Sequence, residues 1–358
     1  MTKIKVLHVA ETARGGVATV IRQLLKNDDV DSFCLLPDSH CKDVMKVPNS
    51  SIYTFKRKKR GILSLVNLSI EYVKLLKKIE PDIIHLHSSF AGVICRLINF
   101  CFKKKHVKVV YCPHAFAFIM DVKTSMNKIF LLIEKILQPY ANRIICTSEY
   151  EKNIAVKFGL KKYNLEVVYN GVEIPQDVSD ITSPYQSHYI NILFVGRFDY
   201  QKGFDLVGQL SQLVGNNTKI TVIGDAVRDS VKNEGNDSPN ITYKNWMSTT
   251  EIAPYFYYAD FLFMPSRWES FGLVAVEAQS YGLPVVASNC CSLPEVIIDN
   301  STGYLFKTDD INEAWNIISA MEKSEWALKK EACLDNYKDN FTTAKMIERI
   351  NLLYKSLF

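Results

Sequence analysis

"FLFMPSRWESFGLVAVEAQSYGLPVVAS", residues 261–288, reads as strand, loop, helix and strand within 28 residues. Phe261–Met264 and Pro284–Ala287 are short apolar runs of the kind that a sheet covered on both faces requires. The segment that begins near Phe271 and Gly272 has the length of a helix, and a connection of this size joins parallel neighbours. Two features do not follow from packing. Glu269 stands in the loop just ahead of the helix, and Glu277 falls about a turn and a half inside it, with seven residues between them. A carboxylate in so apolar a stretch is costly unless a partner or a ligand compensates it. The amides of Phe271, Gly272 and Leu273, at the start of the helix, add donors with no acceptor inside it.

The same alternation runs outward in both directions. Ile4–Val9, Ser32–Leu36, Ile83–Leu86, Val107–Cys112, Arg143–Thr147 and Leu165–Tyr169 read as strands, with helical stripes between them at Val17–Leu25, Ile62–Ile79 and Met126–Leu137. The pattern weakens over "PQDVSDITSPYQSHY" (175–189), a polar stretch with two prolines that reads as a linker. It restarts with Ile190–Val195, Lys219–Ile223, Ile241–Tyr243 and the two strands quoted first. The expected fold is α/β: a first doubly wound domain over 1–178, a second over 190–341, and a closing helix over 342–358. A ligand cleft is expected between the domains, at their strand C-terminal ends.

Bulk properties narrow the classes. With 358 residues, 47% apolar and 23% charged, the chain suits two soluble domains of about 170 residues each. "MTKIKVLHVA" enters a strand pattern at once, so no signal peptide is expected, and the longest apolar run, Ala91–Phe102, is broken by Arg96 and Asn99. Nine scattered cysteines without a CxxC spacing indicate reduced thiols in the cytosol rather than a disulfide framework or zinc site. Charge is unevenly spread: residues 1–180 carry 28 Lys and Arg against 17 Asp and Glu, residues 181–358 carry 15 against 21. The basic half, with "KRKKR" (56–60) and "KKKHVK" (103–108), faces either solvent or an anionic membrane or phosphate-bearing acceptor. Nucleic acid fits less well, because no recognition helix or aromatic-interleaved basic motif is present.

Two loops have the composition of phosphate sites. "ETARGGVATVI" places Gly15 and Gly16 where the first strand turns into its helix; it is not GxGxxG, so a dinucleotide reading is weak. "ILFVGRFDYQKGFDLV" follows strand 190–195 with Gly196, Arg197, Lys202 and Gly203. Two cations a short loop apart suit a diphosphate, and ordinary surface charges are the alternative.

Together, Glu269-x7-Glu277, Gly196-Arg197-x4-Lys202-Gly203, "PDIIHLHSS" (81–89), "VVYNGVEI" (167–174), "SLPEVI" (292–297) and "TGYLF" (302–306) resemble a GT4-type retaining glycosyltransferase of the GT-B fold, glycosyl transferases group 1. The resemblance spans roughly residues 4 to 306. It implies that Glu277 binds the ribose hydroxyls of a nucleotide-diphosphate sugar and Glu269 the hydroxyls of its sugar. It implies that Arg197 and Lys202 neutralise the diphosphate as the glycosidic bond breaks. Gly16 would offer its backbone to the phosphates, and Phe271, Gly272 and Leu273 their main-chain amides. His114, which ends "VVYCPHAF", would lie near the donor sugar, although Ala115 stands where many relatives have glycine. Of the other histidines, His85 and His87 alternate along their strand, and only one of them is expected to face the cleft.

The resemblance implies no cofactor and no metal, Arg and Lys taking the place of a divalent ion. The expected reaction moves a hexose, from a UDP-linked rather than a GDP-linked donor, to a lipid-linked saccharide in bacterial surface-polysaccharide assembly (O-antigen, capsule or exopolysaccharide). The acceptor is expected on the basic N-terminal half. The apolar face of 123–140, with Lys123, Lys128 and Lys135 nearby, offers a peripheral contact with the inner face of the cytoplasmic membrane. Two alternatives stay open: a sugar-nucleotide epimerase of the same architecture, and a non-catalytic module that binds saccharide or nucleotide sugar.

Overall fold

Buried β-branched runs alternating with amphipathic helices build two parallel sheets in the computed structural model, which describes residues 3–44, 51–102, 107–119, 124–225 and 238–358. Residues 103–106 of the second basic run, Met120 of "HAFAFIM" and Lys123 lie outside the described residues. The chain divides into two units, residues 1–170 with 343–358, and residues 171–342.

The first unit contains strands β1 (Ile4–Ala10), β2 (Val30–Pro37), β3 (Ser51–Phe55), β4 (Ile83–His87), β5 (Lys108–Cys112), β6 (Arg143–Cys146) and β7 (Leu165–Val167). Helices α1 (Gly16–Leu25), α2 (Ile62–Ile79), α3 (Ser89–Cys101), α4 (Thr124–Leu137) and α5 (Glu149–Lys157) connect them. All neighbours pair in parallel, in the order β3-β2-β1-β4-β5-β6-β7, so the winding direction reverses between β1 and β4. The two-residue period of the strands decides which side chains meet which layer. Leu7, Val9 and Leu86 join Leu68, Tyr72 and Leu75 of α2 on one face. Ala10, Cys34 and Leu36 join Ala18, Ile21 and Leu25 of α1 on the other. Each fully buried leucine among these contributes about 1.5–3 kcal/mol.

The second unit repeats the plan with β8 (Ile190–Val195), β9 (Thr218–Ile223), β10 (Ile241–Lys244), β11 (Phe261–Met264), β12 (Val285–Ser288) and β13 (Gly303–Phe306), in the order β10-β9-β8-β11-β12-β13. Its helices are α6 (Phe204–Leu213), α7 (Thr249–Tyr258), α8 (Leu273–Ser280), α9 (Leu293–Val296), α10 (Ile311–Ser319), α11 (Lys323–Leu328) and α12 (Lys330–Asn340). Phe194, Phe204, Val207, Phe261, Phe263 and Trp326 fill its core. The winding reverses between β8 and β11.

The unit boundaries depart from the expected ones. The first unit stops at Asn170, not 178, and the supposed linker is part of the second. The Val172 amide donates to the Phe341 carbonyl, the Val172 carbonyl accepts from Tyr337 Oη, and Tyr258 Oη donates to the carbonyls of Ser179 and Ile181. The last helix, α13 (Thr343–Lys355), is not a free-standing closing element. It buries Met346, Ile350 and Tyr354 in the first unit, where Asn351 Oδ1 accepts from Asn27 Nδ2 at 2.7 Å. Periodicity does not predict β3 or β13: β3 buries only Phe55, and β13 only its two end residues.

Candidate functional site

In the second unit the loops that follow β8 and β11 come together at the place where the winding reverses. Gly203, which precedes α6, has φ +65°, and a Cβ there would lie 2.1 Å from the Pro265 carbonyl oxygen. Glycine is therefore required twice over, by backbone angle and by the closeness of the neighbouring loop. That closeness puts Lys202 on Glu269: its ammonium pairs with Glu269 Oε1, and Ser266 Oγ donates to the same oxygen at 2.9 Å. Both charged side chains are largely buried, at 17% and 8% exposed. A buried carboxylate is thus compensated by one cation and one hydroxyl, as a polar group in an apolar stretch requires.

Arg197 lies on the same loop. Its guanidinium reaches Asp199 Oδ2 at 3.2 Å and donates to Gln201 Oε1, while the Lys202 amide donates to Asp199 Oδ1 at 3.0 Å. The two cations are therefore held by acidic or amide partners and not left to wander. A third cation, not singled out in the sequence, braces the loops. Arg267 makes a fork to both carboxylate oxygens of Asp205 at 2.7 Å, adds Asp309 at 2.7 Å, and lies over the Tyr200 ring at 3.7 Å. Its partners stand 42 and 62 residues away, so no local pattern advertises it.

Helix α8 begins at Leu273, with Gly272 at φ +94° ahead of it. Of the three main-chain positions expected, only Leu273 lies within the first turn. Phe271 is buried against the Phe341 ring, 5.8 Å between centroids, and Gly272 accepts from the Ala275 amide at 2.9 Å. Glu277 is half-buried in the second turn of α8, close enough to the Tyr281 hydroxyl to help raise its pKa, mainly a consequence of that hydroxyl's burial.

In the first unit, Gly16 opens α1 directly after Gly15, whose φ is +55°. Next to this turn sits Glu11, fully buried. Arg60 donates to its carboxylate at 2.8 Å, and Arg57 Nη2 lies 3.2 Å from the other oxygen. Burial pushes this carboxyl up, but Arg60, Thr12 and Arg57 outweigh it and hold the pKa below the usual value. Two of the five "KRKKR" cations are thereby accounted for: Arg57 and Arg60 serve the glycine turn, while Lys56, Lys58 and Lys59 stay exposed.

The histidines form a chain. His114 has φ +58°, uncommon for a non-glycine residue, and its Nε2 lies 3.0 Å from His87 Nδ1. His87 Nε2 lies 3.1 Å from His8 Nδ1, and His85 Nδ1 lies 2.7 Å from Tyr354 Oη. His85 and His87 both point to the same face, with rings stacked at 4.2 Å, which corrects the expectation that only one could. Residues two apart on a strand share a side; alternation separates only neighbours. Burial lowers the pKa of His114 to about 4 and of His8 to about 3, and burial, then the neighbouring rings, lowers His85 and His87 well below the usual value. With one proton per ring, the two His–His bonds are consistent only if His8, His87 and His114 change tautomer together. His8, His85 and His87 are also, among the described residues, the one group of three whose ligating atoms lie within 4.8 Å of one another.

Comparison with known proteins bears on both units. Residues 14–175 match the model described as glycosyltransferase family 4, and residues 183–340 the model described as glycosyl transferases group 1. A protein in the cps region of Klebsiella pneumoniae is 43% identical over 99% of this chain and 100% of its own length. The UDP-Gal:alpha-D-GlcNAc-diphosphoundecaprenol alpha-1,3-galactosyltransferase of Escherichia coli is 24% identical over 80% of this chain and 78% of its own. Among solved structures, Anabaena Alr3699/HepE in complex with UDP-glucose superposes with a TM-score of 0.84 at 18% identity, covering 99% of this chain and 100% of that one.

Proposed function

The chain belongs to the glycosyl transferases group 1 family, and from that premise we propose that it is a retaining hexosyltransferase using a UDP-linked donor and a lipid-linked saccharide acceptor. That it is a glycosyltransferase of polysaccharide biosynthesis with the two-domain α/β GT-B fold follows from the family models and the relatives. The observation that carries the proposed transfer chemistry is the Lys202–Glu269–Ser266 cluster, with Arg197 on the same loop and the first turn of α8 following.

In this reading the diphosphate of the donor recruits Arg197 and Lys202. Each cation gives up part of a contact with Asp199 or Glu269 and gains a phosphate oxygen, so charge is exchanged and not newly buried. As the bond from the anomeric carbon to the diphosphate breaks, negative charge grows on the phosphate oxygen, and the two cations oppose it. Glu269 Oε1 is occupied by Lys202 and Ser266, a carboxylate arranged to accept sugar hydroxyls rather than to attack carbon. The acceptor proton passes to the departing phosphate. Glu277 takes the ribose hydroxyls, Gly16 and the Leu273 amide contact phosphate, and His114, as a neutral ring, takes a sugar hydroxyl.

The UDP preference is supported by the galactosyl transfer from UDP-Gal by the Escherichia coli relative and by the UDP-glucose bound to HepE. The lipid-linked acceptor rests on the same relative's diphosphoundecaprenol substrate. Surface chemistry of the first unit supports a membrane contact. Met126, Ile129, Leu132 and Ile136 of α4 are 44–59% exposed, and α2 exposes Ile62, Leu63 and Val66, with Lys56, Lys58, Lys59, Lys128 and Lys135 exposed alongside. No described helix is long and apolar enough to cross a membrane.

A thermal-shift series with UDP, GDP, ADP and their sugars tests the donor. UDP at a hundred times its Kd should raise the melting temperature of the second unit by roughly 5–10 °C, and Glu277→Ala should abolish the rise. A GDP-selective rise would move the donor to another sugar class, and no rise with any nucleotide would bring the non-catalytic module forward. Flotation with anionic liposomes tests the surface: salt-sensitive binding is expected, and its absence would remove the membrane contact.

A further inference from the structure

Cys290 and Cys291 occupy the turn after β12, which leans on the loop after β11. The turn is tight: the Cys290 amide donates to the Ser288 carbonyl at 2.9 Å, and the Leu293 amide to the Cys290 carbonyl at 3.0 Å. Cys291 sits at φ +50°, a backbone that a residue with a side chain seldom adopts. Such strain, where it persists, marks a place to look for function. The two thiols stand on adjacent residues of this turn, and Cys290 Sγ donates to the Ser266 carbonyl. Both are half-buried and so open to solvent on one side, whereas Cys34, Cys41, Cys95, Cys112, Cys146 and Cys333 are buried and Cys101 is exposed.

We propose that Cys290 and Cys291 form a vicinal dithiol site for thiophilic reagents that take two sulfurs at once, the class of trivalent arsenic, and that its occupation disables the donor site. A trivalent arsenic centre holds two sulfurs at a bent angle, which neighbouring residues can supply, while a direct disulfide between adjacent residues is strained. In the step, two S–H bonds are broken and two S–As bonds form. The oxygen of an arsenoxide leaves with both protons as water, arsenic remains trivalent, and nothing is oxidised. The Cys290 thiol is pushed up, first by its interaction with Cys291 and then by burial.

The link to the donor is short. Cys290 Sγ lies 3.1 Å from the Ser266 carbonyl oxygen, and Ser266 Oγ holds Glu269 Oε1 at 2.9 Å. Ser292, the residue after the pair, donates from Oγ to the Glu269 carbonyl at 3.3 Å. An atom inserted between the two sulfurs displaces Cys290 from Ser266 and so moves the residue that fixes the carboxylate facing Lys202. That effect rests on the donor reading given above; the dithiol site itself does not.

Phenylarsine oxide on the full-length chain tests both parts. Intact mass should show one phenylarsenic group per folded chain, removed by the dithiol dimercaptopropanol and resistant to an excess of glutathione. Cys290→Ser and Cys291→Gly should each lose this stable adduct, and Cys101→Ser should keep it. Cys291→Gly guards against misfolding, since glycine suits the left-handed backbone. The treated chain should also bind UDP at least about tenfold more weakly, with the dithiol restoring affinity. An adduct that survives Cys291→Gly, or no adduct on the folded wild type, overturns the site. An adduct with unchanged UDP affinity overturns the coupling, and an untreated chain that binds no nucleotide sinks the donor reading while leaving the adduct to be judged by mass.

Discussion

The two sheets reverse their winding at corresponding places, between β1 and β4 in one unit and between β8 and β11 in the other, yet opposite chemistry fills the two places. The first holds four histidines kept neutral by burial, three of them joined ring to ring and His85 stacked on His87, and its ion pairs are gathered on one buried carboxylate, Glu11, held by Arg57 and Arg60. The second holds ion pairs: Lys202 with Glu269, Arg197 with Asp199, Arg267 with Asp205 and Asp309. One backbone plan therefore supports a surface of neutral rings, suited to hydroxyl groups, and a surface of exchangeable ion pairs, suited to a diphosphate. What the fold supplies is the converging loop ends; what the sequence chooses is whether they carry charge.

Three experiments would break or sharpen this contrast. The largest effect is expected from Lys202→Ala, which removes one of the cations opposing charge on the departing diphosphate and leaves Glu269 buried without its partner. Transfer rate at low donor concentration should fall by about 10²–10³-fold. A loss under tenfold would mean that Lys202 does no more than hold Glu269.

Acid should separate the units next. The folded histidines titrate far below the unfolded value near 6.5, so the unfolded chain takes up protons that the folded first unit refuses. Stability is fully present above that pH and is lost as pH falls through the window from 6.5 toward about 4 for His114 and about 3 for His8. Each histidine contributes up to about 1.4 kcal/mol per pH unit in that window. All four tryptophans, at 246, 268, 315 and 326, lie in the second unit, so their fluorescence follows it alone, and amide exchange in β1 and β4 follows the first. Protection in β1 and β4 that outlasts the tryptophan signal on acidification would break the contrast.

The smallest effect is expected from Tyr354→Phe. It deprives His85 Nδ1 of its 2.7 Å partner and should cost the first unit about 1–2 kcal/mol, read by the same exchange experiment at neutral pH. No change would mean that His85 finds another partner.

Much of this is legible in the sequence. The strand–helix alternation, the cations after β8 and the two glutamates around α8 depend on spacing within about twenty residues, which periodicity and loop composition report. What was not legible depends on distant partners. Arg96, read as an interruption of an apolar run, is fully buried against Glu134 at 2.8 Å, with the Tyr111 ring beneath its guanidinium at 4.2 Å. Nothing near Arg96 in sequence announces a carboxylate 38 residues away. The histidine chain likewise draws on β1, β4 and the turn after β5, and β3 buries only Phe55 of its five residues, so no buried apolar run marks it. The glycine-like backbones of His114 and Cys291 were invisible for a different reason: both positions carry ordinary side chains.

The return of α13 to the first unit has a consequence for how the molecule comes off the ribosome. Residues 343–358 are made after the whole second unit, yet they supply Tyr354 to His85 and Asn351 to Asn27. The second unit is contiguous in the chain and can complete itself as soon as residue 342 emerges. The first unit, although synthesised first, must wait with its histidine face uncovered for the length of another domain. The order of synthesis and the order of completion are thus inverted, and a nascent chain arrested before residue 343 should present a finished second unit beside an unfinished first.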